Sequence, residues 1–257
     1  MQLLNQLFGL DGKVVLVTGG YGGIGEAVSR GLAGAGAQVA IAGRSRDKAQ
    51  ALADDLGSDA YASAFNCLSV EQIRAMVDDV AAHFGRLDIL VNCVGLNQEQ
   101  SALEITEDAF DYVYTANLKS SLFLGQAAAR HMVAQGAGGK QVFLGSVRTL
   151  LALRGRGYAA YCAAKGGLGT MCKQLAAEWA PYKINVNVVA PTFVRTEQVA
   201  HMLGDPDFYS ALTSRIPLGR VAEPNEVMNA VLFFVSPASD FITGQTLYLD
   251  GGITATQ

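Results

Sequence analysis

Apolar and polar positions along the chain alternate between two spacings. Short runs rich in β-branched and other apolar residues recur at KVVLVT (13–18), QVAIAG (38–43), AYASAF (60–65), LDILVN (87–92), KQVFLGS (140–146), INVNVVA (184–190) and QTLYLD (245–250). Runs of this length and makeup predict strands, about seven in all. Between them stand longer stretches with apolar residues at helical spacing, such as GEAVSRGLAGAGA (25–37), VEQIRAMVDDVAAHF (70–84) and the alanine-rich stretch around 121–135. Strand and helix in regular alternation predict an α/β fold: a parallel sheet with helices on both faces, doubly wound if its crossovers are right-handed.

No Pro/Ser-rich linker, repeat or low-complexity segment divides the chain, so residues 1–257 read as a single domain. The least regular stretch, about 191–224, carries four of the six prolines and is too long for an ordinary connection. It reads as a substrate lid or binding loop.

Composition narrows the function classes. Half of the residues are hydrophobic, only 16% are charged and the net charge is −4, which argues against a broad nucleic-acid surface. Cys67, Cys93, Cys162 and Cys172 form no C-x-x-C pair and have no histidine at zinc-ligand spacing, so reduced thiols and no metal are expected. His83, His131 and His201 pair with no acid or cysteine at a telling spacing. No apolar run reaches the length of a membrane span and no leader is evident, so the expectation is a soluble, cytoplasmic protein.

The first predicted strand runs directly into TGGYGGIG (18–25) and from there into a helix. Glycines at such a strand–helix turn let the backbone approach a pyrophosphate, and the helix N-terminus offers free N–H groups to it. Gly20, Gly22 and Gly25 fit the spacing G-x-G-x-x-G; Gly19, Gly23 and Gly25 fit G-x-x-x-G-x-G. The position predicts dinucleotide binding in a Rossmann-type fold. A site for NAD usually carries an acid at the end of the second strand to hold the ribose hydroxyls. Here that strand ends in Gly43-Arg44-Ser45-Arg46, and the first acid is Asp47. A guanidinium pairs with a 2′-phosphate in bidentate fashion. NADP is therefore expected, NAD being possible, with Arg44 as the main contact and Ser45 or Arg46 in support.

GYAAYCAAKGG (157–167) places Tyr161 four residues before Lys165, on one face of a predicted helix. A phenol titrates near pH 10, and a neighbouring ammonium favours its phenolate form, which suits acid/base work on an alcohol or a ketone. Tyr158 is farther from the lysine. Ser146, at the end of the fifth strand, is placed to hydrogen-bond a substrate oxygen. Cys162 adjoins Tyr161, but consecutive helix residues point about 100° apart, and a packed thiol is expected there.

Together with LVNCVG (90–95), Asn117 in TANL, PTFVRT (191–196) and the terminal TGQ and LDGG, these motifs resemble the classical short-chain dehydrogenases/reductases over essentially the whole chain. The resemblance implies a tetrad of Asn117, Ser146, Tyr161 and Lys165. It places Gly19, Tyr21, Gly22, Gly23, Ile24 and Gly25 along the cofactor turn. Asn66 and Cys67 would sit by the adenine, Asn92 and Gly95 on the adenosine side, and Val194 and Thr196 at the nicotinamide. Tyr161 and Lys165 would contact the cofactor as well, Lys165 on the nicotinamide ribose; Asn117 would position a water. Cys93-Val94 stands where Asn-Ala is commoner, and Thr192 where glycine is. Family members usually form homotetramers through two long helices and the last strand.

Arg148 follows Ser146 by two residues, with Arg154 and Arg156 in the same loop and Arg195 beside the lid. With Ser146 and Tyr161, Arg148 and Arg154 are the candidate substrate contacts. Arginine near the reacting carbon suggests an anionic or polyhydroxylated substrate such as a sugar acid. The motifs resemble gluconate 5-dehydrogenase relatives and, almost as much, 3-oxoacyl-[acyl-carrier-protein] reductases. A reading of another class, a non-catalytic NADP-binding sensor or structural subunit, stays open; the presence of a Tyr–Lys pair argues against it.

Overall fold

The computed structural model describes residues 2–57 and 59–256. A short helix, α1 (Gln2–Phe8), precedes the sheet, where the sequence suggested no element. Seven strands follow, β1 (Val14–Thr18), β2 (Gln38–Gly43), β3 (Ala60–Ala64), β4 (Ile89–Asn92), β5 (Gly139–Leu144), β6 (Ile184–Pro191) and β7 (Thr246–Leu249), each within a residue or two of its predicted run. They form one parallel sheet in the order β3-β2-β1-β4-β5-β6-β7.

Alternation along the strands divides the core into two layers. Val14 and Leu16 of β1 face one layer, with Ile73, Leu124 and Leu168 from helices α4 (Val70–Phe84), α6 (Ser120–Gln135) and α7 (Ala159–Trp179). Val15 and Val17 face the other, with Val28, Leu52 and Val231 from α2 (Ile24–Gly34), α3 (Arg46–Leu56) and α10 (Pro224–Val235). Both faces being covered, every residue of β1 is buried. Local chemistry fixes the helix ends. Ser45 and Ser69 cap α3 and α4 by accepting from Lys48 N and Gln72 N. Gly85 and Gly136 close α4 and α6 in the left-handed conformation.

The order reverses between β1 and β4, so the chain leaves these neighbouring strands in opposite directions and opens a crevice at their carboxyl ends. The TGGYGGIG turn leaves β1 there.

The stretch 191–224 is more regular than the sequence suggested. It holds α8 (Ala200–Leu203) and α9 (Pro206–Thr213), the latter capped by Asp205, whose side chain accepts from Asp207 N and Phe208 N. Its two ends are clasped: Arg195 N donates to Ala222 O at 2.8 Å and Ala222 N to Phe193 O at 3.0 Å. The remaining helix, α5 (Glu107–Tyr114), passes into α6 through one π-helical turn, Thr115–Lys119.

Candidate active site

Three elements carry the candidate residues to one end of the sheet. Beyond β5 the chain turns at Ser146, whose hydroxyl accepts from Arg148 N at 3.2 Å; Thr149 Oγ1 donates to the Ser146 carbonyl. Tyr161 lies on the first turn of α7 and Lys165 one turn further, 2% exposed. Lys165 Nζ donates to the Leu144 carbonyl at 2.7 Å, tying α7 to the end of β5. Asn117 sits in the π-helical turn and is fully buried. Its Nδ2 donates to Val113 O at 2.8 Å and to Leu96 O at 2.7 Å, and its Oδ1 accepts from Leu96 N at 3.3 Å. A π-turn shifts the helical register by one residue, a device frequent at functional sites.

Gly95 lies between these groups. A Cβ there would stand 3.3 Å from both Asn117 Oδ1 and Lys165 Nζ. Any side chain would therefore press on two of the four candidate residues at once.

Electrostatics here differ from the sequence expectation. Burial pushes the Tyr161 phenol up to about 12, against the pull of the Ser146 hydroxyl and, more weakly, of Arg148. Burial likewise brings Lys165 down to about 8. By itself the i,i+4 ammonium would draw the phenol below its ordinary value. In this chain desolvation outweighs it, and Nζ is held at the Leu144 carbonyl, 5.7 Å from the ring centroid. The arrangement keeps Tyr161 protonated at neutral pH, which is the form that donates a proton.

The crevice suits a dinucleotide. Gly23, with φ 49°, is held so close to the Thr196 side chain that a Cβ would fall 2.9 Å from its methyl. Gly25 packs onto the Gly19 carbonyl, where a side chain would collide. Gly22 faces open space; at the start of α2 the Gly25 N–H is taken by the Gly22 carbonyl at 2.9 Å, while the Ile24 N–H that opens the helix has no intrahelical partner. The glycine turn thus meets the start of the 191–224 segment at Thr196, while Val194 bridges to Ala222. Tyr21 packs its ring against Gly43, and its hydroxyl accepts from Ser45 N at 2.9 Å. Arg44 and Arg46 are exposed and form no ion pair among the described residues, whereas the Ser45 N–H and hydroxyl are committed to Tyr21 and to the α3 cap. These features fit an NADP cofactor, with Arg44 free to meet a 2′-phosphate.

Two expected cofactor contacts are engaged internally. Asn92 is 1% exposed; its Oδ1 accepts from Thr18 Oγ1 at 2.8 Å and from Val94 N at 3.0 Å, and its Nδ2 donates to Ser121 at 2.9 Å. The side chain braces β1, β4 and α6, and only its backbone is left for the adenosine side. Cys67 is buried. Asn66 is exposed after β3; its Oδ1 accepts from Leu68 N, and its Nδ2 has no acceptor among the described residues.

The loop arginines separate clearly. Arg156 is held by Glu99 at 2.7 and 2.5 Å, between the rings of Tyr158 and Phe208. Arg195 pairs with Glu223 at 3.0 Å. Arg154 is exposed and unpaired among the described residues. Arg148 is 6% exposed, and its Nη1 donates to Leu151 O at 3.2 Å and to Ala152 O at 2.6 Å. Glu99, which anchors the loop, was not singled out in the sequence; it lies 57 positions from its partner, and no local pattern marks it.

Fold, crevice and Tyr–Lys helix together define a nicotinamide-dependent oxidoreductase of secondary alcohols and ketones. The chain belongs to the short-chain dehydrogenase/reductase family. Residues 19–254 match a family model described as enoyl-(acyl carrier protein) reductase. The chain is 36% identical to a 2-dehydro-3-deoxy-D-gluconate 5-dehydrogenase of Escherichia coli, over 95% of this chain and 96% of that one. It is 39% identical to a D-threitol dehydrogenase of Mycolicibacterium smegmatis, over 96% and 95%. A crystal structure of a gluconate 5-dehydrogenase from Burkholderia cenocepacia in complex with NADP and tartrate superposes with a TM-score of 0.93 at 37% identity, covering 98% of this chain and 99% of that one.

Proposed function

We propose that the protein interconverts a secondary hydroxyl and a ketone on a sugar acid or closely related polyol, with NADP(H) as cofactor. The cofactor supplies or accepts the hydride. Tyr161 gives the proton to the developing alkoxide in reduction and takes it back in oxidation. Ser146 donates a hydrogen bond to the same oxygen and stabilises its charge. Lys165, fixed by the Leu144 carbonyl, holds the ribose side of the cofactor. Asn117 fixes the Leu96 backbone and with it the floor of the site. Arg44 selects the 2′-phosphate, and the segment 191–224 covers the substrate.

The observation that carries the substrate class is Arg148: a buried guanidinium two residues from Ser146 with no carboxylate partner among the described residues. A buried cation without a counter-ion is costly, and an acidic substrate supplies the missing charge. Of the relatives' named substrates, 2-dehydro-3-deoxy-D-gluconate is a sugar acid and supports this class, whereas threitol is a neutral polyol and supports only the broader polyol reading.

The deciding experiment follows absorbance at the nicotinamide band with NADPH and with NADH over 5-keto-sugar acids, neutral ketoses and acetoacetyl thioesters. The fastest turnover is expected with NADPH and a keto-sugar acid. Preference for the thioester would replace this reading with a 3-oxoacyl reductase. Tight NADPH binding without turnover of any of them would point to a sensor.

We also propose a cytoplasmic homo-oligomer. The four cysteines are free, and no helix among the described residues is long and apolar enough to cross a membrane. Phe110 and Tyr114, both exposed, stack at 5.9 Å on α5 and offer apolar surface to a second copy.

A further inference from the structure

Three segments far apart in the sequence meet at Arg156. Both carboxylate oxygens of Glu99, in the loop after β4, hold its guanidinium, at 2.7 and 2.5 Å. The two loops are laced together further. Gly157 N donates to Glu99 Oε1 at 3.1 Å, and Gln100 N donates to Gly157 O at 3.2 Å. Gly157 lies so close to Gln100 that a Cβ would fall 2.3 Å from its carbonyl. The guanidinium fixed in this way lies over two rings, 5.7 Å from the centre of Tyr158 and 5.9 Å from that of Phe208. Phe208 belongs to α9, within the segment clasped at Ala222.

Each ring carries the contact onward in its own direction. Phe208 meets Phe193 edge-on at 5.7 Å, and both pack on the apolar cluster that joins Val147 to Leu212 and Ile216. Tyr158 meets Tyr161 edge-on at 5.9 Å. An unbroken line of contacts therefore runs from Phe193 and Phe208 through Arg156 to Tyr158 and Tyr161. An ion pair as exposed as this one, with about a third of each side chain open to water, contributes little to stability by itself. Its effect is orientation. A carboxylate that grips a guanidinium with both oxygens sets the plane of that group, and a planar cation stacks on aromatic faces.

We infer that Arg156 is a positioning residue for the reaction: fixed by Glu99, it seats α9 through Phe208 and steadies Tyr161 through Tyr158. It touches neither the cofactor nor the reacting atoms. This rests on the reading above that Tyr161 moves the proton and that 191–224 covers the substrate, whatever that substrate is. With the cation in place the cover is down and the phenol is held in register. Without it, α9 keeps its apolar seat on Val147 but loses its second fastening and opens more often. The Tyr158 ring is then free to turn away from Tyr161.

The test compares wild type with Arg156→Ala, Arg156→Lys, Phe208→Leu and the double variant Arg156→Ala/Phe208→Leu. Tryptic cleavage after Arg215, an exposed residue just past α9, reports how often the segment opens, and fragment masses identify the cut. Steady-state rates with NADPH are measured on whichever of the ketones named above wild type reduces fastest. A cation over a ring contributes a factor of about two to five. Losing two such contacts should raise the cleavage rate about tenfold in Arg156→Ala and less in Phe208→Leu. The double variant should fall short of the product of the two single effects, because both remove one contact. Arg156→Lys keeps a cation over the rings and should stay within about threefold of wild type. KM should rise about threefold to tenfold in Arg156→Ala and in Phe208→Leu, because less of the enzyme is closed. Only Arg156→Ala should also lower kcat, about tenfold, because only it disturbs Tyr158. The clasp at Ala222 is untouched, so NADPH affinity within about twofold of wild type reports a retained fold. If wild type reduces none of the ketones yet cleavage responds as described, the catalytic reading falls and the seating of α9 by Arg156 stands. If ketones are reduced and Arg156→Ala leaves cleavage, KM and kcat unchanged, the positioning role falls and the catalytic reading stands. Effects that simply multiply in the double variant also overturn it, since Arg156 would then be no more than a strut between two loops.

Discussion

The Lys165 ammonium stands 5.7 Å from the centre of the Tyr161 ring while its proton is donated to the Leu144 carbonyl at 2.7 Å. The i,i+4 spacing brings the two residues to one face of α7, and the end of β5 decides which way the lysine points. The pair is poised with the phenol protonated and the ammonium buried. Four expectations follow from this site.

Replacing Tyr161 with phenylalanine removes the only hydroxyl on that ring and leaves its packing on Tyr158, at 5.9 Å, in place. Loss of a positioned acid/base typically costs a factor of about 10² to 10⁴. The variant should lose kcat by that order and bind NADPH within about twofold of wild type. Single-turnover reduction and a fluorescence titration measure the two quantities. Retained turnover would remove Tyr161 from the chemistry.

Lys165→Met tests the buried charge. Lys165 falls from 10.5 to about 8 on folding, so between those values the unfolded chain holds more protons than the folded one. Stability from this group therefore rises with pH across that window, and below about 8 the cost of the buried charge is fully present. Methionine removes that cost. Relative to wild type, Lys165→Met should be more favoured near pH 7 than near pH 10, by on the order of 2 kcal/mol. Paired urea titrations at the two pH values measure it. An offset between variant and wild type that does not change with pH would contradict the shift.

Arg44→Ala should raise the Kd for NADPH about tenfold to a hundredfold and change that for NADH little, because only the 2′-phosphate contact is lost. Arg44 is exposed and unpaired among the described residues, so the fold gives no competing reason for a change. Equal weakening of both cofactors would assign Arg44 elsewhere.

Gly95→Ala places a methyl 3.3 Å from Asn117 Oδ1 and Lys165 Nζ. Neither can retreat without giving up a backbone carbonyl, of Leu96 or of Leu144. Turnover should fall well beyond tenfold with a modest change in Tm, since a misplacement of a few tenths of an ångström acts on positioning more than on the core. Kinetics beside thermal unfolding separate the two effects.

Much of this was legible in the sequence because it is local. Strand runs, the glycine turn and the Tyr–Lys spacing each fit within a dozen residues, and the sheet follows from their order. What escaped depends on separation or on environment. The brace from Asn92 to Thr18 spans 74 positions, and that from Arg156 to Glu99 spans 57. The π-turn at Thr115–Lys119 adds one residue to a helical pattern, too little to register against an alanine-rich background. The 191–224 stretch looked irregular because its two helices are short, though Asp205-Pro206 carries a helix-start signal that could have been read. The Tyr161 shift has the sign opposite to that expected, because spacing conveys the neighbouring charge but not the desolvation that outweighs it.

The hydrogen bonds joining Phe193 and Arg195 to Ala222 make the intervening residues a closed excursion whose two feet stand on the same spot of the scaffold. Such an excursion behaves as a cassette. Its length and contents are free to diverge while the nucleotide-holding half and the β6–α10 path remain as they are. Transplanting 195–221 from a relative with another preference is then a single graft at one seam, and new chemistries on this scaffold need not begin with a new sheet.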